Sequence, residues 1–320
     1  MTSAKFWGNG EVMKRVSLIY NPYAGSGAIK TYLDDIIDLF AETGMRIIPY
    51  RLGGSMDIDR VMTEIQAENY HKIVVAGGDG TVNLVVNAMI RYDIHIPLAI
   101  FPTGTANDLA SHLGIPQEIE GMINVALADD YIKADVGKAG TKYFINVLAV
   151  GMLVDVSQRT DPLIKNTLGL GAYYLRSLAE LPFVRAYRLH IESKERTLDE
   201  EVSAVLVMNG REAGGFKEVA PLSEVSDGLL DVLVVRKLIL PTMLPALISV
   251  MTGHHTNDKR FVYFRTKRLR IESREEGVID SDVDGERGDP LPLDIEVMPG
   301  RLLINTYRQE GFTPPKDVVK

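Results

Sequence analysis

The chain has 320 residues, 46% of them apolar and 24% charged, with 28 glycines, no cysteine and a formal net charge of −8. This composition excludes fibrous, low-complexity and disulfide-scaffold proteins, and a chain without thiols has neither cysteine catalysis nor thiolate zinc sites. Because nucleic-acid binding needs clustered Lys and Arg, a net acidic chain also predicts no nucleic-acid partner.

The first 130 residues alternate short apolar runs with longer amphipathic ones. This rhythm predicts an α/β domain with a mostly parallel sheet, in which ligands bind at the carboxyl ends of the strands. The predicted strands are residues 15–20, 45–50, 72–76 and 97–101, and the predicted helices are residues 29–40, 58–68 and 82–91.

After residue 131 the pattern changes to short strand-like runs at close spacing, which predicts an antiparallel β-rich domain, a sandwich or barrel. We therefore predict an α/β domain of residues 1–130, a β-rich domain of residues 131–308 and a tail of residues 309–320. Whether the tail returns to pack on the first domain is left open by the sequence. Helical runs are predicted at residues 165–181 and 241–251. The predicted strands are residues 132–136, 143–150, 188–191, 201–208, 229–235, 268–271, 277–283, 294–297 and 302–305.

A glycine-rich turn, residues 77–83, directly follows the third predicted strand and opens a helix. Glycines let backbone N–H groups approach an anion, and the helix N-terminus adds its positive end, so the turn predicts a phosphate site. The alternative is an ordinary tight turn with Thr81 as the N-cap. Two more such turns, residues 21–27 and 102–108, follow neighbouring strands and favour a shared site. Ile29 breaks the P-loop pattern and Asn83 breaks the dinucleotide fingerprint, so neither standard nucleotide motif applies.

The order and spacing of these motifs resemble the catalytic domain of the diacylglycerol kinase family, which includes sphingosine and ceramide kinases. The motifs are Asn21-Pro22-x-x-Gly25, the run 77–83, and Pro102-x-Gly104-Thr105-x-Asn107-Asp108. In the second half, residues 172–174, 220–221, 227–231 and 283–286 resemble the soluble bacterial lipid kinases. The resemblance implies an NAD kinase/diacylglycerol kinase-like α/β domain followed by a β-sandwich domain.

The same resemblance implies an enzyme that uses ATP and Mg²⁺. Asp284 would be the general base that takes the proton of a lipid hydroxyl, and Glu286 would be a magnesium ligand or a supporting carboxylate. One departure is Arg51, which lies near the position where some relatives have a Thr beside the nucleotide. The residues implied to bind ATP are Asn21, Gly25, Gly77, Gly78, Asp79, Gly80, Thr81, Asn83, Thr105 and Asn107.

Four carboxylates, Asp280, Asp282, Asp284 and Glu286, alternate at every second position. An extended chain would place them on one face, and their repulsion would raise some pKa values unless Mg²⁺ or basic side chains neutralised them. The alternative is a solvated acidic strand or turn.

The resemblance implies a structural Mg²⁺ remote from the phosphates, held by Asp227, an oxygen of Glu224 and the backbone carbonyl of Leu229, an all-oxygen set that suits a hard cation. Taken alone, Asp227-Gly228 predicts only a β-turn.

Membrane contact is expected to be transient. Residues 1–13 lack the core of a secretion signal, and no apolar run reaches the roughly 20 residues of a membrane span, which predicts a cytoplasmic protein. The basic stretch, residues 259–274, could bind anionic headgroups, and the apolar helices 165–181 and 241–251 could lie against acyl chains. Strand-face charges and core-packed helices are the alternatives. An exposed sandwich edge would also allow a homodimer.

The predicted function is an ATP- and magnesium-dependent lipid kinase that transfers the γ-phosphate to a lipid hydroxyl at the membrane surface. Diacylglycerol, giving phosphatidic acid, is the first choice of acceptor. Phosphatidylglycerol, undecaprenol-like alcohols and sphingoid bases stay open, because acyl pockets are lined by interchangeable apolar residues. Two alternatives are an NAD kinase and a nucleotide- or lipid-sensing protein without turnover.

Overall fold

The computed structural model describes residues 13–25, 27–53, 57–152, 154, 185–213, 216 and 218–306. Helices and strands are numbered in chain order over these residues. The predicted helix 165–181, the motif 172–174 and the tail 309–320 lie outside the described residues.

The N-terminal half is an α/β domain, and its predicted strands and helices are confirmed with shifts of a few residues. Helix α5 was not predicted, because Gly121 interrupts an otherwise apolar run that has no clear start signal. The elements are β1 Lys14–Tyr20, a 3-10 turn Ala28–Tyr32, α1 Leu33–Glu42, β2 Met45–Arg51, α2 Ile58–Ala67, β3 Lys72–Gly77, α3 Asp79–Arg91, β4 Leu98–Pro102, α4 Asp108–His112 and α5 Ile119–Leu127.

These strands form a parallel sheet in the order β2-β1-β3-β4. Successive side chains of a strand point to opposite faces. In β3, Ile73 and Val75 pack with α2 and α3 on one face. Val74 and Ala76 pack with α1 and α5 on the other. Because both faces of β3 and β4 are buried, these two central strands are almost entirely apolar, as expected for a parallel sheet.

The C-terminal half is β-rich and antiparallel, as predicted. Its elements are β5 Tyr131–Ala139, β6 Lys142–Phe144, β7 Val147–Gly151, β8 Tyr187–Ser193, β9 Thr197–Met208, β10 Leu230–Arg236, α6 Leu240–Met251, a 3-10 turn His254–Asn257, β11 Phe261–Thr266, β12 Arg268–Ser273, β13 Ser281–Val283, β14 Glu286–Arg287 and β15 Leu293–Asn305.

Strand β10 shows how this half is layered. Its residues Leu230, Val232 and Val234 face the sandwich core, which is shared with β7 to β9 and β12. Leu233 and Val235 face the opposite side, where α6 covers them. The fold is therefore an α/β domain with a parallel sheet, followed by a β-sandwich domain.

Strand β15 connects the two halves. It pairs antiparallel with β12 and β5, and its end adds parallel to β4 through Ile304 and Leu98. Asn305 Nδ2 donates to the carbonyls of Ala128 and Asp130 at 2.7 and 3.3 Å. The C-terminal end of β15 thus lies against the N-terminal half, next to the start of β5.

Several strand boundaries differ from the prediction. The predicted strand 143–150 is wrong as one element, because a turn at Ile145 and Asn146 separates β6 from β7. The runs 294–297 and 302–305 belong to the single strand β15, which has a register shift between Met298 and Leu302. Strand β11 was missed because it lies inside the basic stretch 259–274, although its own sequence, FVYFRT, carries a single charge at Arg265. No helix among the described residues is long and apolar enough to cross a membrane.

Candidate active site

Three turns meet at the carboxyl edge of the parallel sheet, as the sequence predicted. Asn21 N donates to Ala76 O at 2.9 Å, which joins the turn after β1 to β3. Thr103 N donates to Gly77 O at 3.1 Å, which joins the turn after β4 to the same strand. The three turns are therefore one structural unit.

Two glycines allow these turns to touch. A Cβ on Gly104 would lie 2.3 Å from the Cα of Gly78. A Cβ on Gly25, whose φ is +52°, would lie 2.2 Å from Thr103 O. Neither contact tolerates a side chain, because both neighbours are backbone atoms. The glycine pattern therefore follows from the close packing of the three turns.

The N-terminus of α3 opens into free space above Gly80. Gly78 is the N-cap residue, and no side chain caps the helix. A Cβ on Gly80 would meet no atom within 4 Å. The first N–H groups of a helix lack internal partners and carry a partial positive charge. This surface has the room and the polarity to receive a phosphate.

Asp79 holds two of the turns together. Its Oδ2 accepts from Asn107 N at 2.8 Å. Burial raises the pKa of Asp79, while backbone hydrogen bonds from Asn107 and Asp108 lower it. Asn107 itself has a left-handed backbone, with φ 54°. Its side-chain amide accepts from Gly104 N at 2.9 Å and donates to Gly104 O at 3.0 Å. In this structure both side chains shape the turn.

Asp284 lies in the two-residue turn between β13 and β14, with φ 52°. The four carboxylates 280–286 therefore do not share one face of an extended strand, and that expectation is wrong. Instead, Arg287 pairs with Asp280 at 3.1 Å. Asp282 is buried, and its Oδ1 accepts from Gly285 N at 2.7 Å. Glu286 is exposed beside the turn, and its role in magnesium binding stays a prediction.

The Asp284 carboxylate accepts four hydrogen bonds. Its Oδ2 accepts from Asn83 Nδ2 and Ile145 N, both at 2.7 Å. Its Oδ1 accepts from Asn146 N at 3.0 Å and from Val147 N at 2.7 Å. Burial raises the pKa of Asp284 to about 6, although all four hydrogen bonds act to lower it. The pKa of this carboxyl therefore lies well above the ordinary value for aspartate.

Two asparagines that the sequence reasoning missed support this arrangement. Asn146 is buried and donates from Nδ2 to Asp79 Oδ1 at 3.5 Å, so it links the two aspartates of the site. Asn87 donates from Nδ2 to Asn83 Oδ1 and Tyr143 O, both at 3.0 Å. Asn87 lies one helical turn after Asn83, which was the available signal. Asn146 had none, because it sits inside a run that resembles a continuous strand.

The other predicted ATP-binding residues lie around the same opening. Asn21 Nδ2 donates to Thr81 Oγ1 at 3.3 Å, so these two side chains join the first turn to α3. Thr105 is exposed at the tip of the third turn. Arg51 donates to Tyr23 Oη at 3.2 Å, and its guanidinium lies 5.6 Å from the centre of that ring. Arg51 therefore stands at the rim of the site.

At the predicted structural magnesium site, the carboxylates of Glu224 and Asp227 are both paired with arginines. Arg211 Nη2 donates to Glu224 Oε1 at 2.6 Å. Asp227 is paired with Arg265, and its Oδ1 accepts from Leu229 N at 2.9 Å. No group of three His, Cys, Asp or Glu side chains among the described residues is arranged to hold a metal. These side chains do not fit a magnesium ion as they stand, and the structural metal stays a prediction.

The basic stretch 259–274 is largely neutralised by its surroundings. Four of its arginines are in ion pairs: Arg260 with Asp258, Arg265 with Asp227 and Asp231, Arg270 with Glu272 and Asp294, and Arg274 with Asp199 and Glu272. Within the described part of the chain, no ion pair involves Lys259, Lys267 or Arg268. The stretch is therefore less basic than its sequence suggests.

Comparison with known proteins agrees with this geometry. Residues 15–139 match the family model of the diacylglycerol kinase catalytic domain. Residues 146–306 match the YegS C-terminal NAD kinase beta sandwich-like domain. The fold and site thus define a kinase in which an α/β catalytic domain is joined to an NAD kinase-like β-sandwich.

Whole-chain relatives narrow the class. A Bacillus subtilis strain 168 diacylglycerol kinase is 30% identical over 311 residues, which cover 95% of this chain and 98% of the relative. A Staphylococcus aureus diacylglycerol kinase is 30% identical, with coverage of 96% and 94%. The crystal structure of a putative diacylglycerol kinase from Bacillus anthracis str. Sterne superposes with a TM-score of 0.79 and 28% sequence identity. The match covers 94% of this chain and 99% of that chain. The chain belongs to the diacylglycerol kinase family and is a lipid kinase.

Proposed function

We propose that this lipid kinase transfers the γ-phosphate of magnesium-bound ATP to the hydroxyl of diacylglycerol, giving phosphatidic acid and ADP. One observation carries the proposal. Asn83, in the predicted phosphate-binding turn, donates to the predicted general base Asp284 at 2.7 Å, although the two residues are 201 positions apart. The names of the whole-chain relatives support diacylglycerol as the acceptor.

In this mechanism the N-terminus of α3 and the glycines 77, 78 and 80 bind the ATP phosphates through backbone N–H groups. Mg²⁺ arrives with ATP as part of the substrate and neutralises phosphate charge. The rate enhancement then comes from positioning and from electrostatic stabilisation of the transferred group. Asp79 and Asn107 contribute by holding the turns in place.

Asp284 acts as the base. The lipid hydroxyl oxygen attacks the γ-phosphorus, the bond to the β–γ bridging oxygen breaks, and the hydroxyl proton passes to the carboxylate. A carboxylate has about four acceptor positions, and all four are used by N–H donors in the structure. Three of the donors are backbone groups, whereas Asn83 is a side chain. In this mechanism the proton enters at the position that Asn83 occupies, which requires the Asn83 side chain to give up its hydrogen bond to Asp284.

A screen of acceptors with γ-labelled ATP tests the proposal. The panel contains diacylglycerol, phosphatidylglycerol, an undecaprenol-like alcohol, a sphingoid base and NAD, each with and without Mg²⁺. We expect label in phosphatidic acid, only with Mg²⁺. Label in NAD and in no lipid would identify an NAD kinase instead. Binding of ATP or lipid without product at any Mg²⁺ concentration would identify a sensing protein.

A further inference from the structure

Helix α6 has an exposed apolar face. Leu240, Leu244, Ile248 and Met251 are 50 to 57% exposed, and Ile239 just before the helix is 57% exposed. At about 100° per residue, the four helical positions fall within an arc of about 80°. The buried residues Met243, Ala246 and Ser249 lie on the opposite side. The exposed residues therefore form one continuous stripe.

Such a helix is unusual on a protein surface. Between Lys237 and Asp258 the chain contains no Asp, Glu, Lys or Arg. A helix that is apolar all round is normally covered on every side, and an exposed apolar patch usually marks a binding surface. Within the described residues, the sheet covers one side of α6, through the cluster that contains Leu233 and Val235.

We propose that the exposed face of α6 docks the enzyme on the surface of a lipid bilayer. This inference rests on the lipid acceptor of the proposed function, which resides in a membrane. Two exposed lysines lie near the ends of the uncharged segment: Lys237, which pairs with Glu201 at 3.0 Å, and Lys259, which is in no ion pair within the described residues. A basic flank beside an apolar face is the pattern of a helix that lies in the interface of an anionic membrane.

A second copy of the chain fits this face less well. Stable protein interfaces use about 20 to 30 residues on each side, whereas the stripe has five exposed apolar side chains. A bilayer needs no matching surface, and each buried leucine or isoleucine contributes about 1.5 to 3 kcal/mol of transfer free energy. A few apolar side chains are therefore enough for reversible docking.

A short series of contacts also connects the helix to the candidate active site. It packs on an apolar cluster that includes Met208 and extends to Val147. Val147 N donates to Asp284 Oδ1 at 2.7 Å. Arg260, paired with Asp258, donates to the carbonyls of Thr242 at 3.3 Å and Pro245 at 3.4 Å, which fixes α6 against the sheet. The helix that carries the docking face therefore packs against the cluster that includes β7, the strand whose Val147 N–H donates to Asp284.

Vesicle flotation tests the docking directly. The vesicles contain phosphatidylcholine, phosphatidylglycerol and long-chain diacylglycerol, and the variant is the double substitution Leu244→Ser/Ile248→Ser. The control is Ile37→Ser/Leu39→Ser on α1, whose side chains are 37% and 36% exposed. We expect the α6 variant to lose binding by at least about tenfold, with the control unchanged. Wild-type binding should persist at about 1 M salt, where charges are screened within about 3 Å.

An activity assay separates this inference from the proposed function. With vesicle-embedded diacylglycerol the α6 variant should lose activity, whereas with a short-chain diacylglycerol dissolved as monomers it should equal the wild type. Equal flotation of variant and wild type, with short-chain activity intact, would refute the docking face but leave the function standing. Complete release by salt would also refute it, since the basic stretch would then carry the binding. So would a fall in melting temperature or the dissociation of a dimer in the variant, because either would show that the face is already covered.

Discussion

Asn83 Nδ2 donates to Asp284 Oδ2 at 2.7 Å, so the turn that opens α3 and the hairpin of the β-sandwich meet at one carboxylate. This contact crosses between the two family domains, since Asn83 lies in residues 15–139 and Asp284 in residues 146–306. Because the proposed base belongs to one domain and the proposed phosphate-binding turn to the other, neither domain alone contains the complete candidate site.

The acid limb of the pH profile of kcat/KM should follow the ionisation of Asp284. Burial raises the pKa of this carboxyl to about 6, and only the ionised form accepts a proton. We expect kcat/KM to fall as the pH drops below about 6 and to level off above it. Asp284→Asn should lower kcat at least about a hundredfold while ATP binding persists. Asp280→Asn, which removes an exposed ion pair with Arg287, is the matched control.

Asn83 should tune the same titration. Its hydrogen bond lowers the pKa of Asp284, so Asn83→Ala should move the acid limb to higher pH. Asn87→Ala is the control, because Asn87 contacts Asn83 and Tyr143 in the same network but does not contact Asp284. A pH profile of Asn83→Ala that coincides with that of the wild type would show that Asp284 does not set the acid limb.

Gly104 and Gly80 should respond oppositely to the same added methyl group. Gly104→Ala places a Cβ 2.3 Å from the Cα of Gly78, and we expect a loss of about 2 kcal/mol in the free energy of unfolding. Gly80→Ala meets no atom within 4 Å and should leave the melting temperature unchanged or slightly higher. Its methyl group would enter the proposed phosphate site, so the KM for ATP should rise about tenfold. An unchanged KM for ATP would show that the phosphates do not bind at Gly80.

Arg265 should be a stability residue. It pairs with Asp227 and, at 3.3 Å, with Asp231, whose side chain is fully buried. Burial raises the pKa of Asp231, and the hydrogen bond from Tyr263 and the charge of Arg265 lower it. Breaking a buried pair leaves an uncompensated charge, so Arg265→Gln should cost about 3 kcal/mol in urea unfolding at neutral pH. Arg268→Gln, on an exposed side chain, should cost less than about 0.5 kcal/mol.

The local periodicities of the sequence determined much of the fold. Runs such as residues 73–76 are apolar at every position, which is typical of strands buried on both faces, and β3 confirms this. Helix α5 and strand β11 were not predicted: Gly121 interrupts the helix, and the run 261–266 lies inside the stretch 259–274, which was interpreted as a basic patch. Their structure comes from packing against neighbours, which a sequence window does not contain.

The sequence alone determined which chemistry the chain carries: three glycine-rich turns at one sheet edge, and an acidic segment near its end. The family resemblance singled out Asp284 among these carboxylates, but only the tertiary structure shows that it is the one that lies at the turns. In an extended strand the four acidic residues 280–286 would be equivalent. The hairpin turn, with Asp284 at φ 52°, breaks that equivalence and directs one of them at donors from residues 83 and 145–147. Hydrogen bonds between residues 137 to 201 positions apart have no local signature, because they exist only once the two domains have packed together.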